Sequence, residues 1–211
     1  MGQYIVFDGM DGSGKGTQMK LLQERFGATA VFTREPGGTP FAEEIRRVVR
    51  DNPLAATSTG LNNFLLFWAA REELQQNLVA PALQAERHVF SDRGDSSTYA
   101  FQLWGEQHRE LLGLFKLLRY FVFEKSRERR APDLYIIFDL HPRIARERVM
   151  ADSAREQNHF DMRDLEYYQR VREGFHSFAS QWPAVFLDAT RPPAEVHQDV
   201  LDLLASRGIV P

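Results

Sequence analysis

The sequence predicts an α/β domain: a five-stranded parallel sheet with helices on both faces and a short lid. Three observations carry this expectation. Short apolar runs recur at residues 4–8, 29–33, 88–92, 134–139 and 184–188. Helix-period patterns fill the intervals, and such alternation marks strand–helix–strand units packed into a parallel sheet. A glycine-rich turn joins the first apolar run to the first helical pattern, where open sheets of this kind place their ligands.

The elements follow in order. Tyr4-Ile5-Val6-Phe7 is continuously apolar, as a strand buried on both faces should be. Next come Gly9, Met10, Asp11, Gly12, Ser13, Gly14, Lys15, Gly16 and Thr17, then a helix over 14–26 that Gly27 ends. Glycines let backbone N–H groups close around a polyphosphate, the helix N-terminus adds its positive end, and Lys15 supplies a charge: this is a phosphate-binding P-loop. Gly16 stands where a hydroxyl usually meets Mg²⁺, a coordination place that water can fill. Beyond the second strand, helices are predicted over 39–51 and 58–80; beyond the third, over 95–104 and 107–127; beyond the fourth, over 141–151 and 163–180; the last covers 193–206. Pro132 and Pro192 mark breaks before a strand and a helix.

With 211 residues and 43% apolar content, the chain suits a single domain over 1–211. A net charge of −3 gives no global basic field, so neither nucleic acid nor an anionic membrane is expected as a partner. No cysteine is present, which excludes disulfides and thiolate-bound zinc and fits a reducing cytoplasm. No apolar run reaches the ~18 residues of a membrane span, and the first strand begins too early for a signal peptide. A cytoplasmic protein is expected.

Three loops and one helix carry further chemistry. Thr33-Arg34-Glu35-Pro36-Gly37-Gly38-Thr39-Pro40 reads either as a turn with a solvated Arg34 or as a close backbone approach to an acceptor phosphate, with Arg34 as its cation. Asp92-Arg93 ends the third strand. These two form either a structural ion pair, with Asp95 or Ser96 capping the next helix, or a phosphoryl-transfer pair in which Asp92 holds Mg²⁺ and Arg93 grips a phosphate. Phe67 and Arg71 lie four apart on one helix face, a spacing that suits either core packing or stacking on a base. The stretch with Arg143, Arg146, Arg148 and Arg155 is a solvated helix face or a lid, about 152–162, that brings arginine to the transferring group.

In that combination the chain resembles the thymidylate kinases, nucleoside-monophosphate kinases of the P-loop class. The likeness rests on the Asp11-bearing P-loop, Thr33 to Thr39, Leu66-Phe67 to Arg71, Asp92-Arg93 with Ser97-Thr98-Tyr99-Ala100-Phe101-Gln102, and Arg170-Val171-Arg172-Glu173-Gly174-Phe175. The resemblance implies a P-loop kinase fold, transfer of the ATP γ-phosphoryl to thymidine monophosphate, Mg²⁺ as cofactor and a homodimer to which the apolar 111–123 helix contributes. Carried over by position, Lys15 and the loop hold ATP, and Asp11 meets the acceptor sugar or the metal. Phe67 stacks on thymine, Arg71 reaches its carbonyl, Arg93 binds the acceptor phosphate, Ser97 and Thr98 line the base end, and Phe101 walls off the 2′ position. Family members with Arg at the place of Gly12 supply the catalytic cation from the P-loop; those with Gly supply it from the lid, here Arg155. Gly16, Gly94, Phe101, Leu74 and His159 depart from the common pattern, which keeps two alternatives open: a kinase for adenylate or a broader set of deoxynucleotides, and a regulatory P-loop switch.

Overall fold

The computed structural model describes residues 2–125, 131–151 and 163–211. Five strands form one parallel sheet: β1 (Tyr4–Gly9), β2 (Ala30–Arg34), β3 (His88–Asp92), β4 (Leu134–Asp139) and β5 (Ala184–Asp188). Their order is β2-β3-β1-β4-β5. β1 is central and wholly buried, which explains why it lacks polar alternation. It pairs Phe7 with Asp92 of β3 and Gly9 with Phe138 of β4. The chain runs from β1 to β2 on one side and crosses from β3 to β4 on the other. A crevice therefore opens beyond the carboxyl ends of β1 and β3, where the P-loop and Asp92-Arg93 emerge.

The helices are α1 (Lys15–Phe26), α2 (Pro40–Arg46), α3 (Gly60–Leu74), α4 (Ala80–Gln84), α5 (Asp95–Ser97), α6 (Leu112–Arg119), α7 (Pro142–Ala151), α8 (Leu165–Ala179) and α9 (Pro193–Ser206). Phe90 makes edge contacts with Phe7, Phe26 and Phe32 at 5.3–5.5 Å, tying α1 to the sheet. Tyr99, Phe115, Phe178 and Trp182 form a second aromatic cluster that joins the segment after α5 to α6 and α8. A small separate core of Ala42, Ile45, Val49 and Ala70 glues α2 to α3, with Leu66 and Phe67 against it. That contact fixes where Phe67 sits.

Helical continuity differs from expectation in a consistent way. The predicted helix 58–80 starts at Gly60, capped by the Thr59 side chain, and does not stop before Pro81. A π-helical turn over Gln75–Val79 links it to α4, which holds Pro81 in its first turn, where its missing N–H costs least. Similar π-helical stretches cover Arg47–Asp51 and Tyr120–Glu124, inside the helices predicted over 39–51 and 107–127, and Thr98–Gly105, which runs one residue past the helix predicted over 95–104. A 3-10 turn at Pro53–Thr57, capped by Asn52, was not anticipated. The expected lid at 152–162 and the cationic run 126–130 lie outside the described residues. No described helix is long and apolar enough to cross a membrane.

Candidate active site

The P-loop is a tight turn held by its own backbone. Gly9, Gly12 and Gly14 adopt φ of 145°, 79° and 79°, a region L-residues rarely enter. Gly14 is the N-cap of α1 and contributes no side-chain cap; Thr17 N–H donates to Gly14 O at 3.0 Å, and the N–H groups of Lys15 and Gly16 at the helix start are placed for a ligand. A Cβ on Gly12 would clash with the carbonyl oxygen of Ala145 in α7. The approach of α7 thus excludes any side chain there, arginine included.

Lys15 is only 8% exposed and pairs with Asp92 at 3.2 Å, across the gap between the ends of β1 and β3. Burial pushes the Asp92 carboxyl up, but the Lys15 and Arg93 charges outweigh it, and the group stays below its ordinary range. The structural pairing of Asp92 with Arg93 that the sequence allowed is not what forms. Arg93 turns instead to Asp11 at 2.8 Å and Asp8 at 3.3 Å, and donates to Ser97 Oγ at 2.9 Å. Burial disfavours its charge, yet Asp11, Asp8 and Asp92 together raise its pKa further. Arg93 itself has φ of 73°, held by its N–H donating to Phe7 O and by Ser91 Oγ donating to its carbonyl. Non-glycine residues rarely adopt that region.

Asp8 is the anchor beneath. Fully buried, it accepts hydrogen bonds from Gly9 N, Ser96 Oγ and Ser97 Oγ, while burial raises its pKa against the Arg93 charge. Asp95 does not cap α5 by its side chain, nor does Ser96. Asp95 is buried, accepts from the Tyr135 hydroxyl at 2.6 Å and faces Arg119 of α6 at 3.3 Å.

Beside this cluster lies a cavity of about 250 Å³. Asp11, Lys15, Asp92 and Arg93 form one end; Phe67, Arg71, Ser97, Thr98 and Phe101 line the rest. Phe101 packs under Arg93, whose guanidinium carbon is 5.0 Å from the ring centroid. Arg71, 2% exposed, donates from Nε to Glu35 Oε2 at 2.7 Å and from Nη2 to Thr98 Oγ1 at 3.0 Å. Its Nη1 is buried and has no hydrogen-bond partner among the described residues.

The site residues expected from the sequence therefore converge, with two exceptions. Arg34 is exposed, bound to both carboxylate oxygens of Glu43 at 3.1 Å, and does not line the cavity. Arg155 lies outside the described residues. Gly16 and Thr17 stand exposed on the first turn of α1. Four contributors escaped sequence reasoning: Asp8, Glu35, Arg46 and Arg50. The last two line the cavity from α2 and the turn after it, and Arg46 also donates to Pro36 O at 2.8 Å. Their i,i+4 spacing beside the glycine-rich loop was the available signal.

A P-loop whose Asp11 and Lys15 also line an adjacent, partly open cavity has the layout of a P-loop kinase. Comparison with known proteins narrows this. A sequence model of the family described as thymidylate kinase matches residues 7–200. Thymidylate kinases from Pelotomaculum thermopropionicum and Chlorobaculum tepidum are each 36% identical, covering 95% and 93% of this chain and 91% and 94% of their own. A crystal structure of thymidylate kinase from Ehrlichia chaffeensis superposes with a TM-score of 0.72 at 29% identity, covering 97% of this chain and 98% of that one. The chain belongs to the thymidylate kinase family, and so to the ATP-dependent nucleoside-monophosphate kinases.

Proposed function

We propose that this protein transfers the γ-phosphoryl group of ATP to thymidine monophosphate, giving the diphosphate and ADP, with ATP on the P-loop and the acceptor in the 250 Å³ cavity. The observation that carries the reading is that Arg93 and Asp11, joined at 2.8 Å, belong to both sites at once. An acceptor nucleotide reaching Arg93 would exchange that pairing for its own phosphate and lie next to the donor.

The roles follow from the geometry. Lys15 and the first-turn amides bind the donor phosphates, aided by Ser13, whose buried Oγ has no partner among the described residues. Arg93 holds the acceptor phosphate, and Arg46 and Arg50, rather than Arg34, bring further positive charge to the cavity lining. Phe67 stacks on thymine, and the free Nη1 of Arg71 donates to a ring carbonyl. Ser97 fixes Arg93, Thr98 fixes Arg71, and Phe101 closes the sugar end. An acceptor phosphate oxygen attacks the γ-phosphorus in line and ADP departs; no covalent enzyme intermediate is needed, so alignment and fixed cations do the catalysis. Arg155, from the lid, is proposed to complete them.

Asp92 and Asp11 would hold Mg²⁺, which when bound would neutralise charge on the donor phosphates. The donors fit: Asp92 is kept ionised by Lys15. Among the described residues no three His, Cys, Asp or Glu side chains converge on a metal position. That suits Mg²⁺, which takes one or two carboxylates and completes its shell with phosphates and water. We further infer a cytoplasmic homodimer, resting on the cysteine-free sequence and on Leu117, Tyr120 and Phe121, exposed apolar side chains of α6 and its extension. Light scattering tests the dimer. An acceptor panel at fixed ATP and Mg²⁺ tests the activity: thymidine monophosphate is the preferred acceptor, and preference for adenylate would contradict the assignment.

A further inference from the structure

Arg71 does not hold its own position. Three neighbours fix its guanidinium: Thr98 at 3.0 Å, the Trp68 ring with its centroid 4.5 Å from Cζ, and the carboxylate of Glu35 at 2.7 Å. Glu35 is 5% exposed, borders the cavity and comes from the loop after β2. Its other oxygen accepts from the Tyr4 hydroxyl at 3.5 Å. Of the three restraints, only the carboxylate both carries the opposite charge and grips Nε, the atom that sets the rotation of the guanidinium plane. With Nε and one N–H of Nη2 used, Nη1 is the guanidinium nitrogen left buried and without a partner among the described residues, on a side chain that lines the cavity.

We propose that Glu35 is a specificity-determining positioning residue: by clamping Nε of Arg71 it aims the Nη1 N–H at the base, so that 4-oxo pyrimidines are accepted and 4-amino pyrimidines rejected. This rests on the reading that Arg71 meets the acceptor base. A ring carbonyl satisfies the fixed N–H, whereas an exocyclic amine brings a second donor against it and leaves both buried and unpaired. Released from the clamp, the guanidinium rotates and the distinction weakens. The groups facing Glu35 are Arg71 of α3, Tyr4 and Asp8 of β1 and Asp95 of α5; burial raises the Glu35 pKa to about 7 against the pull of Arg71. Protonation then weakens the same clamp.

The test measures Kd for thymidine monophosphate and 2′-deoxycytidine monophosphate, with kcat and KM for the former, in the wild type, Glu35→Gln, Arg71→Lys and the double variant. Glu35→Gln is expected to raise KM about tenfold, change kcat less than threefold and cut the ratio of the two Kd values about tenfold. The double variant should lose no more than Arg71→Lys alone. In the wild type the ratio should fall as pH drops below about 7, a readout that needs no variant to fold. An unchanged ratio in Glu35→Gln, with a reduced one in Arg71→Lys, overturns the positioning role alone. A ratio that neither substitution moves overturns the placement of Arg71 at the base as well.

Discussion

The proposed donor and acceptor halves of the cleft are built differently. The donor half is backbone: positive-φ glycines, a helix N-terminus and one lysine, contributed by a single continuous segment. The acceptor half is side chains: Phe67, Arg71, Arg93, Thr98 and Phe101, from three separate stretches of chain and held by buried ion pairs. A backbone cradle suits a donor whose phosphates alone need gripping. A side-chain cavity can discriminate among bases, at the cost of holding buried charges whose loss is expensive.

If that division is right, substitutions should separate cleanly into those that slow transfer and those that loosen the acceptor. Lys15→Ala should have the largest effect, lowering kcat by about 10²–10³ in steady-state assays, because it removes a fixed cation from the transferring phosphates. Arg93→Ala should cut kcat/KM for the acceptor by about 10² and also lower the melting temperature. It leaves Asp8, wholly buried, without its counter-charge, a loss of about 3–5 kcal/mol in comparable cases. Phe67→Ala should raise acceptor KM about tenfold with kcat within about threefold, since stacking is the same before and during transfer. Smallest should be Arg34→Ala, within about twofold in both parameters, as its only described ion pair is the exposed one with Glu43. A large effect of Arg34→Ala would place acceptor recognition on the loop rather than in the cavity.

The buried charges also predict a pH signature. Glu35 has a folded pKa of about 7 against an ordinary 4.5. A carboxyl raised on folding favours the protonated native state, so its stabilising contribution is full below pH 4.5 and is lost as pH rises through 7. Melting curves of wild type against Glu35→Gln should diverge over that window, with the wild type losing stability relative to the variant. Parallel curves would mean that Glu35 is not titrating there.

How far the sequence could be read follows the same division. β3, β4, β5 and α9 lie where the apolar runs and Pro192 put them, and the P-loop was legible because its chemistry is consecutive. Chain continuity through Pro81 was not, since a π-helical turn that shifts the bonding partners leaves no mark in hydrophobic spacing. Neither was the partnering of charges. Asp92 and Arg93 are adjacent, yet one faces Lys15 and the other Asp8 and Asp11, because the chain turns at Arg93, whose φ of 73° takes it out of the strand. Arg34 looked like the cation of its loop until Glu43, nine residues on, claimed it, leaving Arg46 and Arg50 toward the cavity. Asp95 resembled a helix cap and proved to be the buried partner of Tyr135 and Arg119, residues that only the fold brings near.

The adjacency of the two nucleotides is the central claim, and a crystal structure with ADP and thymidine monophosphate tests it most directly. The account predicts ADP phosphates on the amides of Gly14 to Gly16 beside Lys15, the acceptor phosphate on Arg93 and thymine against Phe67, with space for one phosphoryl group between. Thymidine monophosphate bound away from Arg93, or a cavity left empty at saturating nucleotide, would contradict it.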